Sequence, residues 1–332
     1  MIIVIKLWNY HTKTIKTLSI VARVEIKYEK SVKEKGNESE GNISMIEKLL
    51  YRICRGGGAK ANHIKKLLAF FPNWNSWRTY IEGFTFTFGV VLNLPIYHLA
   101  YTDRKIINVN DLDKRVIDLS YLYLFCPEQL YKAQARCLKT QGLLKNISNG
   151  KYATEKQWIN GLSKWYIVST AFSAKEAPNI GYRINEYRSH YPLKSSNYYR
   201  EMNDRLREMA IFSEDFTKFY NRFLKAKSLM VYSDPPYVSA EKLDIYDLNL
   251  NKDQHHQLAD IHHQLDEKGA KICISYDDHP LVHELYENWY FHDLNIKYSM
   301  PTTGRDIKRT ELVITNYKPT KQQELPQWFS SL

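Results

Sequence analysis

The chain has 332 residues, 44% of them hydrophobic, with a mean hydropathy of −0.49 and a formal net charge of +11. That length builds one large domain or two smaller ones around a sizeable core, and the apolar start, Met1 to Ile5, breaks at Lys6, too soon for a signal peptide or a membrane span. Cys54, Cys126, Cys137 and Cys273 show no paired spacing, which speaks against a disulfide framework or structural zinc and for a reduced, cytoplasmic setting.

Residues 1–45 include a polar run, 33–42, with almost no apolar side chains, and read as an extension with a flexible linker. The β-branched stretch 18–26 inside it is a candidate strand. Gly56-Gly57-Gly58-Ala59-Lys60 then leads into a helix over 63–71 that Pro72 ends. Residues 79–82 read as a short strand, and 97–102 as a second one closed by Asp103. From about 120 to 225, helical stretches alternate with aromatic and basic loops, such as Tyr182-Arg183, Tyr187-Arg188 and Tyr198-Tyr199-Arg200. A strand over 228–233 follows, then a helix around 255–267, a strand over 270–275, a helix over 281–289 and a strand over 311–317.

This alternation predicts an α/β sandwich with a mostly parallel sheet. Ligands of such sheets lie beyond the carboxyl ends of strands, where Glu82, Asp103 and Asp234 are expected. Charge is unevenly spread. Lys and Arg exceed the acids by 8 over residues 1–72 and by 9 over 120–230, match them over 73–119, and fall 6 short over 231–332. A basic middle beside an acidic end suggests a polyanion-binding segment inserted into an enzyme core.

The most specific string is Asp234-Pro235-Pro236-Tyr237, directly after an apolar strand. Its carboxylate and the carbonyls around Pro235, which has no N–H to donate, form a rigid set of acceptors, and Tyr237 adds a flat π face. A planar, amine-bearing base fits such a corner: two acceptors on its amino group, one ring against its face.

With these residues in view, the chain resembles the Dam-like adenine-N(6) DNA methyltransferases, which use S-adenosylmethionine, over about residues 55–320. Asp234-Pro235-Pro236-Tyr237 is similar to the family's catalytic motif, and Gly58-Ala59-Lys60 stands where a Gly-Gly-Lys is usual. Residues 79–82 resemble the strand entering the cofactor loop, which includes Phe84; Asp103 resembles the acid ending the second strand. Glu214-Asp215-Phe216 resembles the acidic–aromatic pair beside the cofactor's adenine, and 274–276 and 309–317 complete the series. The resemblance implies a Rossmann-like methyltransferase sandwich with an inserted, mainly helical target-recognition domain. It implies a cofactor-binding part over 46–120, the recognition domain over 121–212, the catalytic part over 213–320 and a tail over 321–332.

It also implies roles. Asp234, Pro235, Pro236 and Tyr237 are catalytic; Lys60, Phe84, Asp103, Asp215 and Phe216 serve the cofactor; Arg183, Arg188 and Arg200 serve DNA. The expected activity is methyl transfer from S-adenosylmethionine to the exocyclic amine of adenine, flipped from duplex DNA. The expected protein is a monomer, solitary or paired with a cognate restriction endonuclease. It needs no metal and no membrane. His255, His256, His262 and His263 share a helix face but lack ligating acids, and are expected at the surface. Lys60, Asp103 and Asp215 have plainer readings as a helix start and two helix caps, and the Tyr–Arg pairs as packing within the domain.

Two departures matter. Phe86, Thr87 and Phe88 stand where the family's cofactor loop has glycines, and a side chain forced into the left-handed region costs about 1–2 kcal/mol. The alternative function is therefore a catalytically weak or inactive DNA-binding derivative. Phe172-Ser173-Ala174 replaces an aromatic-Asn-Gly near the recognition region, so no target sequence follows. A third class, methylation of RNA bases or protein glutamine, fits the Pro-Pro-Tyr motif but not the basic insert.

Overall fold

Three short, apolar segments make the centre of the sheet. β1 (Thr79–Glu82), β4 (Leu229–Ser233) and β5 (Lys271–Asp277) are buried along nearly their whole length, as strands covered on both faces must be. β2 (Ile106–Asn110) lies beside β1, and β3 (Met209–Phe212) beside β2. All five run parallel, with Glu82 opposite Val109 on one side and Tyr232 on the other. β6 (Tyr290–Asp293) and β9 (Glu311–Thr315) finish a seven-stranded sheet of order β3-β2-β1-β4-β5-β9-β6, with β9 antiparallel to both neighbours. β7 (Lys297–Tyr298) and β8 (Ile307–Lys308) pair apart from it.

Chain order reverses between β1 and β4, so the crevice at their carboxyl ends is the switch point where such sheets bind ligands. This is an α/β sandwich with a mostly parallel sheet, as the alternation of elements predicts, and its strand order agrees with the Rossmann-like fold that the resemblance implies. The computed structural model describes residues 51–53, 60–95, 105–136, 156–170, 194–239, 249–294, 297–298, 307–308 and 311–319. All of them belong to one unit, Leu50–Gln327.

Helices start where short polar side chains satisfy their first N–H groups. Asp113 caps α2 (Lys114–Phe125), Ser195 caps α5 (Ser196–Leu206), and Asp215 caps α6 (Phe216–Asn221). α7 (Lys252–Glu267) opens with a full capping box between Asn251 and Gln254. α1 (Ile64–Leu68) follows a 3-10 turn at Lys60–His63, α3 is Pro127–Arg136, α4 is Gln157–Thr170, and α8 (Pro280–Leu285) begins with proline at its first turn. α4 crosses α2 at Gly161, where a Cβ would sit 2.9 Å from the Leu119 backbone nitrogen, so only glycine lets the helices meet this closely. α2 also runs through the expected seam between residues 120 and 121.

The second strand differs from the expectation. Residues 97–102 and Asp103 lie outside the described residues; the strand beside β1 is Ile106–Asn110, which starts after Asp103 and leads to Asp111. β3 and β6 were not expected as strands, because each is four residues long and half exposed. The 281–289 helix ends at Leu285, and Trp289 runs into β6 instead.

The histidines need a correction too. His255 and His262 are buried in the core against β5, with Nδ1 at the hydroxyls of Tyr276 and Tyr286. Burial, with His263 nearby, holds His262 down to about 3, so it packs as a neutral ring. Around them Val231, Leu258, Leu265, Ile272 and Ile314 close the apolar cluster that fixes β4 and β5, each burying about 1.5–3 kcal/mol of side chain. No group of three metal-ligating side chains forms among the described residues, and no described helix is long and apolar enough to cross a membrane.

Candidate active site

The strand–acid–Pro–Pro–Tyr string lands at the carboxyl end of β4, at the switch point. The Asp234 side chain keeps 21% of its exposure, so the corner is open to a substrate. Lys60, only 4% exposed, reaches it from the turn before α1: Nζ lies 2.8 Å from Asp234 Oδ1, 2.8 Å from Tyr237 Oη and 3.1 Å from Glu311 Oε1. The Tyr237 hydroxyl also donates to Asp234 Oδ1, at 3.4 Å. Both bonds fall on Oδ1, which leaves Oδ2 to face an amine. Burial pushes Asp234 up to about 6, against the pull of Lys60 and with a push from Glu311.

Tyr237 is partly exposed, with its ring 6.1 Å from that of Tyr276. The chain beyond it is tied to the end of β5, because Asp277 accepts from the backbone N–H groups of Val238 at 3.2 Å and Ser239 at 2.9 Å. Asp277 thus fixes the exit of the Pro-Pro corner as β4 fixes its entry.

The loop that the resemblance expects to hold the cofactor follows β1. Glu82 is buried, accepts from Tyr80 Oη at 2.8 Å, and burial pushes its carboxyl well above the ordinary range. Phe86 and Phe88 both have positive φ, 38° and 58°. The backbone therefore keeps the left-handed turns that glycines usually make, with phenylalanine in them. Phe88 is fully buried, and the Phe86 ring lies under Lys164 Nζ at 5.1 Å. Lys164, on α4 and 2% exposed, pairs with Asp113 at 2.7 Å. Burial opposes ionisation of Asp113, but Lys164 and Arg115 outweigh it and hold the carboxyl well below its usual range. Gly83 has Tyr220 packed directly against its Cα, in the space a Cβ would fill.

The end of β2 joins the two halves of this cradle. Asn110 donates to the carbonyls of Gly83, at 3.1 Å, and Glu214, at 2.9 Å, and accepts from the Glu214 N–H at 3.0 Å. Asp111 accepts from the Phe86 N–H at 2.7 Å and the Asp113 N–H at 2.8 Å, and burial pushes it up to about 6. Phe84 meets Phe216 with centroids 5.7 Å apart. Asp215 is exposed and caps α6 through Thr217. Glu214 binds Arg222, at 2.5 and 2.8 Å.

Lys60, Asp234, Pro235, Pro236 and Tyr237 thus come together at one end of β4, and Phe84 with Phe216 at the end of β1. Asp103, Arg183 and Arg188 lie outside the described residues. Arg200 is exposed on α5, but its neighbours do not offer rings to a ligand: Tyr198 is fully buried and Tyr199 2% exposed. Tyr198 stacks on Tyr51 and bonds the Arg52 backbone, and Tyr199 stacks on Tyr123. These tyrosines serve packing.

Sequence reasoning missed Asp111, Asn110, Glu311 and Asp277. The signal for Asp111 was present, since Ile106-Ile107-Asn108-Val109 is β-branched and precedes an Asx cap. For Glu311 and Asp277, nothing local marks them apart from other strand-end acids.

No curated protein shows significant sequence similarity to the chain. Among solved structures, the rRNA methyltransferase aviRa from Streptomyces viridochromogenes is similar in two determinations. That at 1.5 Å is 10% identical, over 84% of this chain and 96% of its own, with a TM-score of 0.36. That at 2.4 Å is 12% identical, over 77% and 83%, with a TM-score of 0.34. Residues 58–300 match the D12 class N6 adenine-specific DNA methyltransferase family, a span that takes in Lys60, the loop after β1 and the Asp-Pro-Pro-Tyr corner. The chain belongs to the D12 class of N6 adenine-specific DNA methyltransferases.

Proposed function

We propose that the protein transfers the methyl group of S-adenosylmethionine to the exocyclic N6 of an adenine flipped out of duplex DNA. The observation that carries this reading is the corner at β4: a part-exposed carboxylate whose bonds to Lys60 and Tyr237 fall on Oδ1, a rigid proline pair and a ring, all at the switch point. A base inside the duplex cannot meet these groups, so it has to leave the stack.

The cradle beside the corner suits the cofactor. Its loop keeps left-handed backbone, Phe84 and Phe216 offer apolar faces for an adenine ring, and Asp111 retains lone pairs beyond its two backbone bonds. We assign Asp111, rather than Asp103, to the ribose hydroxyls, and Asp215 to the adenine amine. Bound S-adenosylmethionine supplies an electrophilic methyl on a sulfonium, whose C–S electron pair stays with sulfur.

The protein's own residues do the rest. Asp234 Oδ2 and the Pro235 carbonyl accept hydrogen bonds from the two N6 N–H groups, which pyramidalises the nitrogen and localises its lone pair for N–C bond formation. Tyr237 holds the ring plane, which keeps the nucleophile in line. Asp234 stabilises the positive charge that grows on N6, and takes the surplus proton on its way to water. Because Asp234 must be ionised and its carboxyl is raised to about 6, the rate is expected to be full above that pH and to fall as pH drops through it.

Expression in a methylation-free host and mapping of modified adenines tests the reading; DNA left unmodified by well-folded protein sinks it. Arg200 and the basic stretch from 120 to 230 are assigned to phosphate contacts, so log affinity for duplex should fall with log salt by about 0.9 per contact. We place the protein in the cytoplasm as a monomer, paired with a cognate endonuclease in restriction–modification.

Phe86 and Phe88 favour a second reading, a DNA-binding derivative with weak cofactor affinity, since both hold a left-handed backbone at a cost. Calorimetric titration with S-adenosylmethionine separates the two. Heat of binding supports the enzyme; its absence supports the derivative.

A further inference from the structure

We propose that Glu311 is a positioning residue for methyl transfer: from the first position of β9 it shares the Lys60 ammonium with Asp234, so that the catalytic corner holds two acids against one cation. The inference rests on the methyl-transfer reading above. Three separate elements build the arrangement. Lys60 comes from the turn before α1, Asp234 from the end of β4 and Glu311 from the start of β9, which lies across β5 from it.

The distances and exposures divide the labour. Lys60 Nζ is 2.8 Å from Asp234 Oδ1 and 3.1 Å from Glu311 Oε1. Lys60 and Glu311 are almost fully buried, at 4% and 2%, whereas Asp234 shows 21% of its side chain to the crevice. The exposed acid is the one that meets substrate; the buried one meets the lysine. Were Lys60 matched to Asp234 alone, the pair would be neutral, and a neutral pair stabilises a developing cation poorly. With Glu311 drawing on the same ammonium, Lys60 neutralises Asp234 less completely, which leaves more negative charge on Asp234 toward the place where N6 gains positive charge.

Glu311 also draws Lys60 from behind. That keeps the ammonium on Oδ1 and out of the space before Oδ2. Other charged and titratable groups face Asp234 as well. Tyr232 and Tyr237 do so from its own segment and Glu82 from β1, and His63 stands near Lys60 and Glu311. Of these, Glu311 is the acid that shares a cation with Asp234.

The test uses full-length protein with Glu311→Gln. Carboxyl ¹³C NMR titration, with Asp234→Asn to assign the resonance, follows the Asp234 midpoint without needing turnover. Removing a neighbouring negative charge should lower that midpoint by roughly one unit. Single-turnover methylation should show its acid limb moving down by the same amount, while the rate at pH 8 falls about tenfold and the apparent affinity for S-adenosylmethionine stays.

Glu311→Asp, which keeps the charge but shortens the reach, should leave the midpoint near wild type and still slow the reaction; it carries the test if Glu311→Gln does not fold. An Asp234 midpoint unmoved in Glu311→Gln, or an unchanged rate in either variant, overturns the proposal. If wild type methylates normally and the midpoint stays put, only this proposal fails. If wild type methylates no DNA, the functional reading fails and takes the proposal with it.

Discussion

Two regions at the same edge of the sheet are held by opposite means. The corner after β4 is an electrostatic construction: Lys60 lies between Asp234 and Glu311, and breaking it would strand buried charge. The loop after β1 is a steric one, in which Phe86 and Phe88 occupy left-handed backbone and Tyr220 fills the space over Gly83. In the corner, chemistry dictates which residues stand there. In the loop, backbone shape comes first, and side chains are tolerated where burial offsets the strain. Phe88 gains that burial fully; Phe86 gains only a lid of Lys164. A glycine motif can therefore lose its glycines without losing its path.

The largest expected effect falls on the corner. Asp234→Ala should lower methylation by more than about a hundredfold, the scale for removing a group that stabilises transition-state charge, while duplex affinity in a filter or polarisation assay stays. Retained activity would break the electrostatic half of the comparison. Next, Lys60→Met leaves Asp234 and Glu311 close together without their cation, and should cost about 3–5 kcal/mol in urea unfolding.

On the loop side, Phe88→Gly exchanges a buried ring for a relaxed backbone. The lost packing outweighs the relief, and a net loss near 3 kcal/mol is expected. Gly83→Ala should cost about 1–3 kcal/mol, because Tyr220 must move. Smallest is Phe86→Gly, which relieves about 1 kcal/mol of strain and gives up a half-exposed ring. Its stability should stay within about 1 kcal/mol of wild type, and tighter S-adenosylmethionine binding by calorimetry would show that the ring hinders the cofactor. Equal losses at Phe86 and Phe88 would erase the distinction drawn here between a buried and a lidded ring.

Much of the sheet and the corner could be read in advance, for stated reasons. β1, β4, β5 and β9 are dense apolar runs bounded by polar or turn residues, and such runs are strands in almost any context. Asp234-Pro235-Pro236-Tyr237 is contiguous, so its chemistry survives without knowledge of the fold. Ile106–Asn110 was passed over because 97–102, which lies outside the described residues, looks equally strand-like in sequence; pairing with β1 identifies Ile106–Asn110 as a strand. Whether the tyrosines at 198 and 199 face a ligand or pack within the domain was left open by the sequence, because a helix-borne aromatic looks the same whether it turns in or out; both are buried.

Local order along the chain was thus enough for the alternation of elements, the family and the Asp-Pro-Pro-Tyr string, since each depends on residues adjacent in sequence. Folding alone decided that Lys60, Asp234 and Glu311 would share one charge, that Asn110 would stitch Gly83 to Glu214, and that His255 and His262 would be core residues. Those contacts join side chains tens to hundreds of residues apart, and no periodicity or spacing encodes which buried partner a polar group will meet.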